Sequence, residues 1–298
     1  MTPGVRLDSA VVVGGAGAVG VMVGDVFRTA GIDVAVVDKA ARQPFPGTYM
    51  RADITAPDSA LKSLLRGAGV IVLAVPEQAA LDALPELAGS LSAESVLADT
   101  LSVKSRFAEA LQASPIECAA VGINPMFAPT LEPNGRPVAA VTYRPGAGVD
   151  RVLSAFTESG AAVIPLEADR HDRLTALTQA LTHASILSFG LALAEEELDP
   201  AELVAVGTPP HMLSLALLAR VSGGTPEVYW DVQAGNPYAE QARRGLANAV
   251  TALNDVVANG DEARFTRLME RAESALGSES EALRTTCAEV FTQLGRRY

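Results

Sequence analysis

The sequence is poor in the residues that most often carry chemistry. Its 298 residues include 3 histidines, 2 cysteines, 1 tryptophan and only three lysines, Lys39, Lys62 and Lys104. Cys118 and Cys287 lie far apart in apolar or helical surroundings, so they read as free buried thiols and not as a disulfide framework. No CxxC and no histidine pair at metal-ligand spacing occurs, so no metal site is expected. A formal net charge of -12 argues against nucleic acid and against anionic membranes, since both need clustered Lys and Arg. No basic stretch precedes a long apolar run at the N-terminus, and no segment offers about 20 uninterrupted apolar residues. Neither a secretion signal nor a membrane span is therefore expected, and the cytoplasm is the expected compartment.

What is present is apolar and alternating. Hydrophobic residues make up 49% of a length that suits two domains, so the chain reads as globular. Short β-branched runs at residues 10–13, 33–37, 70–74, 95–98, 117–121, 138–142 and 161–165 read as strands. Amphipathic stretches at 18–30, 59–66, 78–91, 104–113 and 149–160 read as the helices between them. That alternation implies a parallel sheet covered on both faces. From about residue 167 the pattern turns helical throughout, with helices expected at 172–193, 212–221, 239–257, 261–276 and 279–294. The expectation is an α/β domain over residues 1–166 and an all-α domain over 167–298. The later helices carry more apolar residues than one buried face needs, which suits a homodimer formed through the helical domain. A helical domain packed only on its own chain is the alternative.

The segment VVVGGAGAVG contains Gly15-Ala16-Gly17-Ala18-Val19-Gly20, a GxGxxG between an apolar strand and an amphipathic helix, and the next strand ends in Asp38. These are the parts of a Rossmann dinucleotide site, in order. Gly15 is expected to allow the tight turn, Gly17 to let the backbone approach a pyrophosphate, and Gly20 to let the helix pack closely. The amides of Ala18 and Val19 face the phosphates at a helix N-terminus. Asp38 accepts from ribose hydroxyls and repels a 2′-phosphate, which favours NAD over NADP, while Lys39 and Arg42 soften that preference. Two further strand ends border the same cleft. Ala74, Val75 and Pro76 are expected beside the nicotinamide, and Asp99-Thr100-Leu101-Ser102 follows the next strand. Thr100 is expected to touch the cofactor. Ser102 is expected to hydrogen-bond substrate or ring edge, or to cap the helix at Lys104.

Taken together, GGAGAVG, VLAVP, DTLSVKS, GINPMFAP, RHDRLTALTQALTHA and VYWDVQAGNP resemble the prephenate and arogenate dehydrogenases. The blocks run from residue 14 to residue 237 in that family's order. The resemblance implies a Rossmann domain followed by a helical dimerisation domain. It also implies oxidative decarboxylation of a cyclohexadienyl substrate, with hydride leaving C4, carbon dioxide leaving C1, and the ring becoming aromatic. It turns a face of the helix bearing Gln179 and His183 toward substrate.

Two positions depart from the family pattern. Where the family has a histidine before Pro-Met, this chain has Asn124, which has no titratable site near neutral pH and cannot act as a general base. Where the family commonly has a carboxylate-binding Arg, this chain has Met212, with His211 or another Arg left to compensate. An amino group at C4 carries the developing charge as an iminium and needs orientation more than a base, so the expected substrate is 4-amino-4-deoxyprephenate and the product 4-aminophenylpyruvate. Related enzymes supply aminophenylalanine to secondary metabolites such as antibiotics. Prephenate or arogenate is the alternative substrate. A degenerate NAD-binding member, or another dehydrogenase with a Rossmann domain and helices, are rival readings. His171 is expected to be an interdomain or capping group, and Tyr229 and Trp230 to pack or cap a helix.

Overall fold

The structure, a computed structural model, describes residues 6–41 and 47–294; Arg42 lies outside the described residues. Contacts divide the chain into two compact units. The first runs to Thr175 and takes in Ala234–Asn236, and the second holds Ala176–Gln233 and the residues from Pro237 on.

The first unit is built on one sheet. Strands β1 (Arg6–Val13), β2 (Asp33–Asp38), β3 (Tyr49–Arg51), β4 (Ala68–Leu73), β5 (Val96–Asp99), β6 (Ala119–Pro125), β7 (Pro137–Arg144) and β8 (Ala162–Pro165) lie in the order β3-β2-β1-β4-β5-β6-β7-β8. All neighbours pair parallel except β6 with β7. The helices are α1 (Ala18–Thr29), α2 (Ser59–Gly67), α3 (Glu77–Leu87), α4 (Ser105–Ala113), α5 (Ala147–Glu158) and α6 (Ala168–Thr175). Strand side chains alternate between two cores, as the pleat requires. Val12, Val36 and Val72 face α1 and α5, where Phe27 and Phe156 meet edge to face. Val11, Val13, Ile71 and Leu73 face Leu61, Leu84, Phe107 and Leu111 of α2, α3 and α4. The strand order reverses between β1 and β4, and that switch point opens a crevice at their carboxyl ends.

The parallel sheet expected from the alternation holds for every neighbouring pair but one, β6 with β7. A parallel return needs a crossover of a dozen or so residues, usually a helix. The link at 126–136 is rich in Pro and Gly, holds no helix, and is tied back by Met126 N–H donating to the Pro137 carbonyl at 3.0 Å. The chain therefore turns back antiparallel. The three-residue edge strand β3 has no alternation long enough to be read from sequence.

The second unit is all helical: α7 (Thr182–Ala194), α8 (Pro200–Ala205), α9 (Pro209–Ser222), α10 (Pro226–Trp230), α11 (Ala239–Ala258), α12 (Glu262–Ser274) and α13 (Ser280–Leu294). Prolines at the starts of α8, α9 and α10 sit where an N–H has no helical partner to lose. π-helical turns occur at Ala176–Leu181 and Asp231–Gly235. No residue of α7 is buried in the chain, despite its apolar composition. The run Ala168–Ala194 is long and apolar enough to cross a membrane, and 11% of its most apolar window is buried. Thr, Gln, His and Ser interrupt it, so it lacks the uninterrupted apolar length sought in the sequence.

Candidate active site

The crevice at the switch point is a cleft of about 510 Å³ lined by the ends of β1, β2 and β4, and Gly17, Asp38, Lys39, Ala74, Val75 and Pro76 are on its wall. The turn that opens it belongs to Gly14 and not to Gly15. Gly14 has φ of 76°, and a Cβ there would lie 2.1 Å from the Ala74 carbonyl oxygen. Gly15 instead clears Val36, and a Cβ on Gly20 would lie 2.2 Å from the Gly14 oxygen, so Gly20 sets the approach of α1. Gly17 caps α1 without a side chain, which leaves the first-turn amides of Ala18 and Val19 uncapped by side chains. Asp38 is pinned by two backbone amides: Ala16 N–H donates to Oδ2 at 3.0 Å and Ala40 N–H to Oδ1 at 2.9 Å. Each carboxylate oxygen keeps a lone pair for a hydroxyl. Lys39 is drawn away into an ion pair with Asp53 at 3.0 Å, and that bond holds the Asp53 carboxyl below the usual range. This arrangement fits a dinucleotide with a free ribose diol.

A second cluster lies at the carboxyl ends of β5 and β6. Asn124 is buried there, paired with Ala139 of β7. Its Nδ2 is 3.1 Å from His171 Nε2, and His171 Nδ1 is 2.8 Å from Asp172 Oδ1. His171 is fully buried, so the expected interdomain role is corrected: it joins α6 to β6 within the first unit. Asp172 also accepts from Lys104 N–H at 2.8 Å, from Ser105 N–H at 2.9 Å and from the Ser105 hydroxyl. It is thus the cap of α4, the part expected of Ser102. Burial raises the Asp172 pKa, but the hydrogen bonds from His171, Ser105 and Lys104 outweigh it and leave the carboxyl below its ordinary value. Asn236 Nδ2 donates to the Asp172 carbonyl at 2.8 Å, which ties in the GNP block.

Beneath this cluster, the buried Lys104 ammonium donates to Asp99 Oδ1 at 2.5 Å and to the Ile123 carbonyl at 3.1 Å. Burial pulls the Lys104 pKa down against the pull of Asp99, and burial followed by the Asp99 charge pushes the Tyr143 hydroxyl well up. A Cβ on Gly122 would lie 2.4 Å from the Tyr143 hydroxyl and 2.9 Å from Asp99 Oδ2, so only glycine fits. Thr100 lies at the end of β5, its N–H donating to the Leu73 carbonyl at 3.1 Å, and does not line the cleft. Ser102 is half-buried in the same loop.

In the second unit, Gln179 sits in the first π-turn, His183 on α7, and His211 and Met212 in the first turn of α9. Among the described residues of this unit, the buried side-chain atoms without a hydrogen-bond partner are Gln179 Oε1, His183 Nδ1 and His211 Nε2. Buried polar atoms are normally paired, so these three are open to a further partner, a water or a ligand group. The His183 ring packs edge-on to Tyr229 at 4.8 Å, and the His211 ring meets Phe189 at 5.9 Å. Burial, then the charge of Arg220, lowers the His183 pKa, which keeps the ring neutral. Met212 packs back on Gly207, where a Cβ would lie 2.6 Å from its sulfur.

From sequence alone His171 was expected only to cap or bridge, Asp99 was placed at its strand end without a role, and Asp172, Tyr143 and Arg220 were missed. Adjacency of a scarce His to an Asp, and a scarce Lys inside DTLSVKS, were the available signals.

Fold and cleft together define a dinucleotide-dependent dehydrogenase. Family models for the prephenate dehydrogenase nucleotide-binding domain and dimerization domain match residues 24–139 and 167–271. A 4-amino-4-deoxyprephenate dehydrogenase of Streptomyces pristinaespiralis is 45% identical over 95% of this chain and 96% of its own length. A probable arogenate/prephenate dehydrogenase of Methanocaldococcus jannaschii is 26% identical over 71% of this chain and 48% of its own. Prephenate dehydrogenase of Aquifex aeolicus, solved with hydroxyphenyl propionate and NAD+, has a TM-score of 0.71 at 15% identity, over 92% of this chain and 98% of that one. Synechocystis arogenate dehydrogenase has a TM-score of 0.63 at 18% identity, over 92% and 99% of the two chains. At such identities the structural likeness is one of fold. The chain belongs to the prephenate dehydrogenase family.

Proposed function

We propose that this protein catalyses the NAD-dependent oxidative decarboxylation of 4-amino-4-deoxyprephenate to 4-aminophenylpyruvate and carbon dioxide. The observation that carries this reading is Asn124, a neutral amide buried at the carboxyl end of β6, in the place where the resemblance puts a histidine. The 45% identical Streptomyces relative, which acts by name on the amino substrate, supports it.

Bound in this cleft, NAD would supply the acceptor for the hydride that leaves C4. Gly17, Ala18 and Val19 would hold the pyrophosphate at the start of α1, Gly15 and Gly20 give the room for that approach, and Asp38 would hold the ribose diol. Ala74, Val75 and Pro76 would border the nicotinamide side, with Thr100 behind them at the end of β5, and Lys39 stays with Asp53. As hydride departs, the nitrogen lone pair at C4 takes up the positive charge, and its N–H donates to Asn124 Oδ1. The C1–carboxylate bond then breaks, its electron pair enters the ring, and carbon dioxide leaves an aniline. The amine must react in its neutral form. A buried amide gives an ammonium no compensating anion, so the site favours that form.

Ser102 is assigned to the ring edge, and Gln179, His183 and His211 to the substrate's polar groups. Met212 supplies no charge, and Arg220, the cation that acts on His183, is the candidate for a substrate carboxylate. Residues 1–166 then serve the cofactor and, through Asn124 and Ser102, the substrate, and 167–298 are assigned to substrate and a homodimer.

The test is steady-state NADH formation from each substrate. The expected result is a higher kcat/KM for 4-amino-4-deoxyprephenate. Equal or better turnover of prephenate overturns the assignment, and NAD binding without turnover of either points to a degenerate member. NADP used as well as NAD removes the role given to Asp38.

A further inference from the structure

We propose that His171 and Asp172 form a polarity lock that holds the Asn124 amide with its oxygen, not its nitrogen, toward the reacting carbon. The inference rests on Asn124 as the residue that meets the C4 substituent. An asparagine side chain has two nearly equal ends, one accepting and one donating. Left free, it could present either, and an NH2 facing an amine would pair donor with donor. The surroundings remove that freedom.

The argument starts at the far end of the chain of contacts. Asp172 carries an ionised carboxylate, held in that form by donors on both oxygens. An ionised carboxylate only accepts, so His171 Nδ1, 2.8 Å from Oδ1, must carry a hydrogen. In the neutral ring Nε2 then carries the lone pair. Its neighbour at 3.1 Å is Asn124 Nδ2, which donates to it. Turning the amide over would set Oδ1 against the lone pair, acceptor against acceptor, at a site where His171 is fully buried and Asn124 nearly so. The populations then differ by about tenfold or more, the worth of one buried hydrogen bond. Oδ1 is left free of His171 and available to a substrate N–H.

Asp172 is itself fixed. It caps α4 through Lys104 N–H and Ser105 N–H, and its carbonyl is held by Asn236. Three of the sequence blocks, DTLSVKS, RHDRL and GNP, thus converge on the orientation of one amide in a fourth. His171 and Asp172 are positioning residues: they act through Asn124.

The test is a double-mutant cycle with the amino substrate. His171→Phe is expected to lower kcat/KM about tenfold when Asn124 is present, and by less than about twofold when Asn124→Ala is already in place. NAD affinity should be unchanged throughout. A purely structural His171 would instead cost the same factor in both backgrounds, and that result overturns the lock. Should His171→Phe not fold, 15N NMR of imidazole-labelled unsubstituted protein decides the matter. The lock requires Nδ1 of His171 protonated and Nε2 bare, and either the opposite tautomer or a doubly protonated ring overturns it. Preference of the unsubstituted enzyme for prephenate overturns the substrate assignment alone, with the NMR result still judging the lock.

Discussion

In the proposed reaction Asn124 meets the substrate and His171, 3.1 Å behind it, aims it. Asn124→His restores a titratable acceptor at the end of β6, and its effect should be a shift of the kcat/KM ratio toward prephenate by about tenfold or more, read from NADH formation with each substrate. An unchanged ratio would show that residue 124 does not meet the C4 substituent. Asp172 carries a pH prediction. Its folded pKa is lowered, so the stability it contributes is present above its unfolded value, near 3.8, and is lost as pH falls through the folded value. Asp172→Asn should remove that part of the acid-unfolding slope, and should cost about 1–2 kcal/mol near neutral pH, because the NH2 that replaces one oxygen cannot accept from the donors facing it. Denaturant titrations across pH measure both. Asn124 was legible in the sequence because a neutral residue stood in a block that otherwise kept its order. His171 was not, because a contact between positions 124 and 171 depends on α6 lying against the sheet, which no local pattern encodes.

The β5–α4 and β6 segments are stitched by one buried ion pair. Lys104→Met would strand the Asp99 carboxylate without its ammonium, at a cost of about 3–5 kcal/mol. Adding Asp99→Asn should recover most of that loss, since the amide oxygen still accepts from Leu101 N–H and no charge remains buried. Chemical denaturation of the single and double variants tests the pair. Failure of the second change to rescue the first would mean that the Ile123 carbonyl, not Asp99, is the partner that matters. Gly122→Ala presses a methyl onto the Tyr143 hydroxyl and the Asp99 carboxylate, and a loss of about 1–3 kcal/mol is expected from the same measurement. At this scale the sequence was most readable where strands are buried on both faces, as in β1, β4 and β5. It was least readable at β7, whose direction is set by the turn before it and not by its own residues, and at the GxGxxG turn. There the strained backbone fell one residue earlier, on Gly14, than the motif's first glycine.

For the molecule as a whole, the helical unit leaves a large apolar surface uncovered. Leu191 is 68% exposed on α7, Trp230 69% at the end of α10, and Val206 80% after α8. Helices that bury no residue in their own chain need another surface, and the match to a dimerization domain names its kind. Leu191→Lys is expected to shift a dimer toward monomer in sedimentation or light scattering, with NAD binding retained in the first unit. A dimer that survives the change would place the interface on another helix. The excess of apolar residues on these helices was legible in the sequence. Which faces they turn outward was not, because three short or π-helical segments shift the periodicity along the way.

The histidine–aspartate arrangement behind Asn124 also bears on how such a protein arises. A bare ring nitrogen at His171 accepts equally from an asparagine amide or from an imidazole N–H at position 124, leaving an acceptor to face the ring in either case. Histidine and asparagine codons differ in their first base only. A lineage handling a C4 hydroxyl and one handling a C4 amine are therefore a single point mutation apart at this position, and the backing needed by the new residue is already built.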